Sequence, residues 1–291
     1  MFDALRHFMF VIEEGTFSGA ARAAHLTQPA LSSSIAKLES QLNCRLFDRD
    51  RRGARLTAAG AALRPHARAA LAAVADGLRA VEDVEGLRRG EVTVGAGATV
   101  ATYHLPQRLA QFRREHTALT LSLREMASPL LLERVADTTL DLAVVDRAFV
   151  GPAAPPPAVE FEPWGGDDYI LVGGPAEERY AGQPFVTFVP GGASRIMLDR
   201  LFPDARVVVE LSGVAAVKQH VRQSVGVSLL ARSAVGDDLA SGRMRELTHA
   251  RTPVARPYAI AHRSRARLSP AARTLLELLL REPPLFTAKH R

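Results

Sequence analysis

The sequence predicts an α+β multidomain chain: a small helical unit, then a long linker helix, then an α/β region of two lobes. Three observations predict it. Helical periodicity with tight turns fills residues 1–57, an alanine-rich heptad seam runs through 58–87, and strands alternate with helices from 91 onward. A chain of 291 residues exceeds one ordinary core and suits two or three domains. The expected boundaries are 1–58, 59–89 and 90–291, with lobe 1 formed by 90–162 plus 266–291 and lobe 2 by 163–265.

Bulk composition narrows the class. Apolar residues at 47% and charged residues at 23% are the balance of a soluble globular protein. No stretch reaches the roughly 18 apolar residues of a membrane span, and no charged-then-apolar leader opens the chain. A cytoplasmic location and no membrane partner are therefore expected. The single cysteine, Cys44, excludes an internal disulfide and cannot alone form a zinc site. The expected role of Cys44 is a small buried side chain. The formal charge is +6, carried mostly by arginine, the lysines being Lys37, Lys218 and Lys289. Such a balance permits a nucleic-acid partner, and the distribution of charge decides the matter.

In the first segment Phe2, Leu5, Phe8, Met9 and Ile12 recur at helical spacing and Gly15 stops the run. Ser18 is placed to cap a short alanine-rich helix over 19–25. Thr27 is placed to cap the next one, with Gln28 and Pro29 in its first turn. Leu31, Ile35, Leu38 and Leu42 form its apolar stripe. Gln28, Ser32, Ser33, Ala36 and Lys37 form its other face. The stretch RLFDRDRRGARLT, 45–57, reads as a β-hairpin with a charged tip at Arg51, Arg52 and Gly53. Five arginines (Arg45, Arg49, Arg51, Arg52, Arg55) face two aspartates there.

Two short helices joined by a tight turn match a helix-turn-helix, whose second helix enters the major groove of double-stranded DNA. An ordinary helical hairpin has the same outline. The small polar start of helix 28–42 and the arginine hairpin after it, placed as a wing to meet phosphates, favour DNA. Candidate DNA-contacting residues are Thr27, Gln28, Pro29, Ser32, Ser33 and Lys37 on the helix, and Arg49, Arg51, Arg52 and Arg55 on the wing.

The linker seam runs Ala67, Leu71, Val74, Leu78 and Val81, and wants a partner helix. Pro65 should bend or locally break it, at about 3 kcal/mol. Further on, strands are expected at 91–97, 119–125, 140–146, 168–172, 185–190, 206–211, 227–231 and 257–262. Helices are expected between them, in mostly parallel sheets. GPAAPPPA, 151–158, reads as a loop.

Three strand-to-helix turns in this region have anion-binding chemistry: GAGAT with Thr99, the Ser128–Pro129 helix start, and PGGASR with Gly192, Ser194 and Arg195. On chemistry alone, routine strand–helix turns with ordinary caps explain them better. No HExxH pair and no GxSxG elbow is present, so nothing points to an enzyme or a cofactor. The remaining alternative, a free-standing solute-binding protein or an enzyme on the α/β region, leaves residues 1–57 unexplained.

The run LRHFMFVIEEGTFSGAARAAHLTQPALSSSIAKLESQLNCRLFDRDRRGARLTAAGAAL, 5–63, resembles the DNA-binding domain of the LysR-type transcriptional regulators. FSGAARAAHLTQPALS, IAKLES, RLFDR and RLTAAG carry the likeness, which continues more loosely to the C-terminus. The resemblance implies a winged helix-turn-helix, a dimerisation helix and an effector domain with the periplasmic-binding-protein-like fold. It also implies a homotetrameric dimer of dimers on an interrupted inverted repeat, acting on RNA polymerase in response to a small molecule. In family terms Gln28, Pro29 and Ser32 are contact positions and Arg52 and Arg55 lie in the wing. Ser33 and Ser34 stand where many relatives carry longer residues, often Arg then Gln. Segments 97–102, 127–129 and 191–195 match where relatives hold effectors. That makes Thr99, Thr102, Ser128, Gly192, Ser194 and Arg195 the candidate residues for a carboxylate or other anionic effector, with His104, Arg147 and Ala231 behind them.

Overall fold

The computed structural model describes residues 1–50, 53–84, 91–150 and 159–284. The chain divides into two compact units, one made of Met1–Gly86 with Ala136–Thr138 and a second made of Leu87–Val135 and Thr139–Arg291.

In the first unit α1 spans Phe2–Glu14 and ends at Gly15, whose left-handed φ of 65° returns its N–H to Val11. The short α2, Phe17–Ala23, is capped by Thr16, which accepts from the Gly19 N–H at 3.1 Å. Ser18 is therefore inside the helix rather than its cap, because the helix begins two residues earlier than its alanine run. The next helix, α3, spans Gln28–Leu42 with Pro29 in its first turn. Thr27 occupies the cap position, but its side chain makes no capping bond.

The hairpin pairs β1, Phe47–Asp50, with β2, Gly53–Leu56, in the register Phe47↔Leu56 to Asp50↔Gly53. Two contacts fix it on the helices. Glu39 on α3 accepts from the Leu46 N–H at 2.8 Å and the Phe47 N–H at 3.3 Å. Ala54 N–H donates to the Gly15 carbonyl at 2.9 Å. Phe8, Val11, Ala20, Leu31, Ile35, Leu38 and Phe47 close the core, so three of the four stripe residues are buried. Leu42 is 42% exposed because α3 ends there, one turn beyond the core, and Cys44 just after it is exposed rather than buried.

The linker helix α4 runs unbroken over Ala58–Val84, with Pro65 inside it. The proline removes one backbone donor without ending the helix. The seam divides: Ala67 is buried and Leu71 packs on the core of this unit, while Val74 and Leu78 are 42% and 63% exposed.

The second unit opens with β3, Glu91–Ala96, a π-helical turn over Val100–His104, and α5, Leu105–Glu115. Then come β4 (Thr120–Glu125), α6 (Ser128–Ala136) and β5 (Leu142–Asp146). The expected 151–158 loop lies outside the described residues. Strand β6, Val159–Gly173, is followed by β7 (Phe185–Phe188), α7 (Ala193–Leu201), β8 (Val207–Leu211) and α8 (Val214–Arg222). The unit closes with β9 (Ser228–Ala231), α9 (Arg232–Ala240), β10 (Arg245–Glu246), β11 (Val254–Arg263) and α10 (Pro270–Arg281).

The sheets are mixed rather than mostly parallel. Strand β3 lies parallel to β4 and β5, and β7 parallel to β8, but β11 inserts antiparallel between β5 and β6. The first part of β6 belongs to this lobe 1 sheet. Its second part pairs antiparallel with β9 and β10 in lobe 2. Both long strands thus pass from one lobe to the other. Tyr258–His262 already pair with β5, so the second crossing precedes the expected boundary at 265/266 and falls at the register shift between Pro257 and Ala259.

At the first crossing Trp164 is fully buried and its indole N–H donates to the Leu279 carbonyl at 2.6 Å, a packing role. Gly165 follows with φ +58°, and a Cβ there would lie 1.8 Å from the Pro284 carbonyl. Gly165→Ala should therefore destabilise the second unit by about 2 kcal/mol or more, from left-handed strain plus displacement of that carbonyl. Gly236, inside α9 with open space around it, is the opposite case. Gly236→Ala should raise stability by up to about 1 kcal/mol. Thermal unfolding of the two variants checks both signs.

Candidate functional site

The first surface is the exposed side of α3. Gln28, Pro29, Ala30, Ser33, Ala36 and Lys37 are exposed and Ser32 is half-buried. Three consecutive serines would be costly if all faced the core, and the structure separates them. Ser34 turns toward α1, where its hydroxyl meets His7 Nδ1 at 2.8 Å. Burial, and then the neighbouring Arg6, lower the His7 pKa, which favours a neutral ring there. Ser33 is left on the open face with Gln28 and Lys37. Arg55 is exposed on β2. The backbone of Arg49 pairs with Ala54. Arg51 and Arg52 lie outside the described residues.

The second surface lies where β6 and β11 pass between the lobes. Its centre is Arg256, 5% exposed. Its Nε donates to Asp146 Oδ2 at 2.9 Å, and its Nη1 donates to the Thr99 hydroxyl at 3.1 Å. The guanidinium lies over the rings of Tyr169, at 4.5 Å, and Tyr258, at 5.3 Å. Burial alone would lower the Arg256 pKa. The adjacent Tyr169, Tyr258 and Asp146 outweigh it and raise the pKa, so the group stays charged. Burial pushes the Tyr258 hydroxyl pKa up, against the pull of Arg256, and that hydroxyl stays protonated.

Three of the anticipated residues meet this centre. Thr99, from lobe 1, bonds Arg256 directly. Ser128 accepts from the Asp146 N–H at 3.1 Å and so holds the residue that pairs with Arg256. Ser194, at the start of α7 in lobe 2, lies beside the Tyr169 hydroxyl without forming a hydrogen bond of normal geometry.

Arg195 is directed elsewhere. It pairs with Asp199 at 2.8 Å and with Glu210, and bonds the Phe188 carbonyl at 3.0 Å. Its position one residue after Ser194 turns it about 100° around α7, toward β7 and β8. Thr102 is exposed, and Gly192 is the exposed backbone position that starts α7. Arg147 stacks on Phe161 at 4.4 Å, and Ala231 is buried at the start of α9.

A second polar cluster sits beside the first. Asp167, 4% exposed on β6, accepts from the Ser233 hydroxyl and N–H at the start of α9. It also meets His104 Nε2 at 3.2 Å, a side chain from lobe 1. Burial would raise its pKa; the bonds from His104, Ser233 and the Asp168 N–H overcome that and lower it. Arg256, Tyr169, Tyr258 and Asp167 were not anticipated. The one available signal was a charged residue inside the otherwise apolar strand run VARPYAIA. Among the described residues no group of acidic, His and Cys side chains fits a metal ion.

Comparison with known proteins gives the class. Residues 2–61 match the model for the bacterial regulatory helix-turn-helix protein, lysR family, and 85–284 the LysR substrate binding domain. The chain belongs to the LysR-type transcriptional regulators: a DNA-binding regulator with a C-terminal effector-binding domain. It is 33% identical to the HTH-type transcriptional regulator CfxR of Cupriavidus necator, over 98% of this chain and 92% of the relative. It is 30% identical to CbbR of Rhodospirillum rubrum, over 96% and 93%. These relatives are regulators, not enzymes. Among solved structures, ArgP from Mycobacterium tuberculosis shares the fold with a TM-score of 0.64 at 18% identity, covering 94% of this chain and 96% of that one. Full-length CbnR complexed with its target DNA gives 0.59 at 20% identity, covering 97% and 99%.

Three outcomes test this geometry. Ser34→Ala should cost the first unit about 1 kcal/mol through loss of the His7 bond while leaving DNA affinity unchanged. Ser33→Arg should change DNA affinity with little change in stability. Chemical denaturation with a gel-shift titration separates the two. Asp167 has a lowered folded-state pKa, so its contribution is full above its ordinary value of 3.8 and fades as pH falls through the lowered value. The stability gap between wild type and Asp167→Asn should be widest at neutral pH and should shrink below about pH 4.

Proposed function

We propose that the second unit takes a small effector bearing an acidic group between its lobes, and that occupancy changes how the first unit holds promoter DNA. The observation that carries this reading is the meeting of residues from both lobes around one buried cation, Arg256. Thr99, Ser128 and Ser194 are the hydroxyl residues expected around the effector. The proposed operator is an interrupted inverted repeat bound by a dimer of dimers. The exposed Val74 and Leu78 on α4 are the seam available to a second copy, and RNA polymerase is the proposed downstream contact. The place of action is the cytoplasm; no helix among the described residues is long and apolar enough to cross a membrane.

On the DNA side, Gln28 supplies the longest neutral donor–acceptor group on the small face of α3, and the wing arginines supply phosphate contacts. Gln28→Ala should weaken binding to the operator by about 1–3 kcal/mol and relax base preference at one position. Arg55→Ala should weaken all sequences alike and reduce the slope of log affinity against log salt by about 1. Gel shifts on the DNA upstream of the gene, at several salt concentrations, measure both. Absence of any complex at low salt would overturn the DNA side of this reading.

A further inference from the structure

The surroundings of Arg256 contain more hydrogen-bond donors than they use. A guanidinium carries five N–H donors. Those of Arg256 bond one oxygen of Asp146 and the hydroxyl of Thr99. The hydroxyls of Tyr169 and Tyr258 are both buried and neither has a partner of hydrogen-bond geometry, Ser194 lying beside that of Tyr169. A buried hydroxyl without a partner is unfavourable, and phenylalanine would fill the same space without that cost. Here two such hydroxyls flank one buried cation. A phenol oxygen lies in the plane of its ring, so a guanidinium over the ring face leaves the hydroxyl beside the cation and not consumed by it.

The carboxylates of Asp146 and Asp167 are already hydrogen-bonded. Asp146 Oδ2 receives Arg256 and its Oδ1 receives the Ala148 N–H at 3.0 Å. Asp167 receives Ser233, His104 and the Asp168 N–H. What remains without a partner is two hydroxyls, each able to donate, beside a positive charge. That is the complement of a group that only accepts: the oxygens of a carboxylate or a phosphate. An ammonium group would instead meet the like charge of Arg256 there.

We infer that Arg256, Tyr169 and Tyr258 form an oxyanion receptor that takes the carboxylate or phosphate group of the ligand. This deepens the effector reading above and rests on it for the site's role, though not for its chemistry. The two tyrosine hydroxyls set the specificity and Arg256 supplies the charge, with Asp146 as the resident counter-ion when no ligand is bound.

The test uses the full chain and two probes, inorganic phosphate and succinate, each compared with chloride at equal ionic strength. Thermal shift and calorimetry read binding. Wild type should be stabilised by at least one probe, and which one separates a phosphate ligand from a carboxylate ligand. Tyr169→Phe and Tyr258→Phe should unfold at the same temperature as wild type or higher without a probe, since each removes an unpaired buried hydroxyl. Each should bind the responding probe about tenfold more weakly, the effect of one lost hydrogen bond to a charged group. Arg256→Lys should keep a charge yet lose most of the affinity, because an ammonium lacks the planar fork. The receptor is overturned if neither probe stabilises wild type, if the phenylalanine variants bind undiminished, or if they are destabilised without a probe. The effector reading fails separately: a probe that binds through these residues yet leaves the gel-shift pattern unchanged keeps the receptor and removes its proposed regulatory role.

Discussion

The buried pair of Arg256 and Asp146 is the constraint around which the second unit is organised. Both groups are nearly excluded from water, at 5% and 6% exposure. Taking two charges out of water costs several kcal/mol per ion before their attraction repays it, so such a pair persists only with its remaining polar atoms engaged. The chain engages many of them. Asp146 sits at the end of β5, where its own N–H is held by Ser128 and its second oxygen by Ala148 N–H. Arg256 leans on Thr99 and on two aromatic faces. Losing either charge alone would leave the other uncompensated in the interior, which is the expensive case.

That pair sits where two long strands, β6 and β11, leave one lobe for the other. On β11 Arg256 precedes the register shift and Tyr258 falls within it, and Tyr169 lies on β6 opposite Val254. The bulge at Pro257 is consistent with a proline in a paired strand, since it removes a ladder donor where pairing is already irregular. The same irregularity brings a charged and an aromatic side chain to one place. The site and the passage between lobes are thus one local structure, and backbone register positions the chemistry.

Much of this was legible in the sequence where local rules decide. The helix-turn-helix and its wing follow from caps, stripe and hairpin chemistry, and their boundaries fall within a few residues of expectation. The run LDLAVVD reads as a buried strand because four consecutive apolar residues precede its last aspartate, and so it is. Long-range register was not legible. Strand–helix alternation argues for parallel sheets, and nothing in VARPYAIAHR announces that it slots antiparallel between two distant strands. Without that pairing Arg256 looks like a charge on a surface strand. Ser34 fails for the same reason: its partner, His7, lies 27 residues away on another helix. Arg195 shows the converse. A helix-start arginine after two glycines has the chemistry of an anion ligand, and the carboxylates of Asp199 and Glu210 take it instead.

The anion logic of the helix starts is realised, but from inside the protein. Asp167 places its carboxylate on the first turn of α9, where it takes the Ser233 N–H and hydroxyl. Ser128 spends its hydroxyl on the Asp146 backbone. The helix dipoles and caps that a sequence reading assigns to a ligand are therefore partly occupied by the chain's own groups. What distinguishes this site from a merely well-satisfied core is the pair of tyrosine hydroxyls. A core built only for stability would carry phenylalanine at 169 and 258, keeping the ring faces against Arg256 and discarding two unpaired polar atoms. Their place beside the buried Arg256, rather than the helix starts, is what the proposed oxyanion receptor rests on.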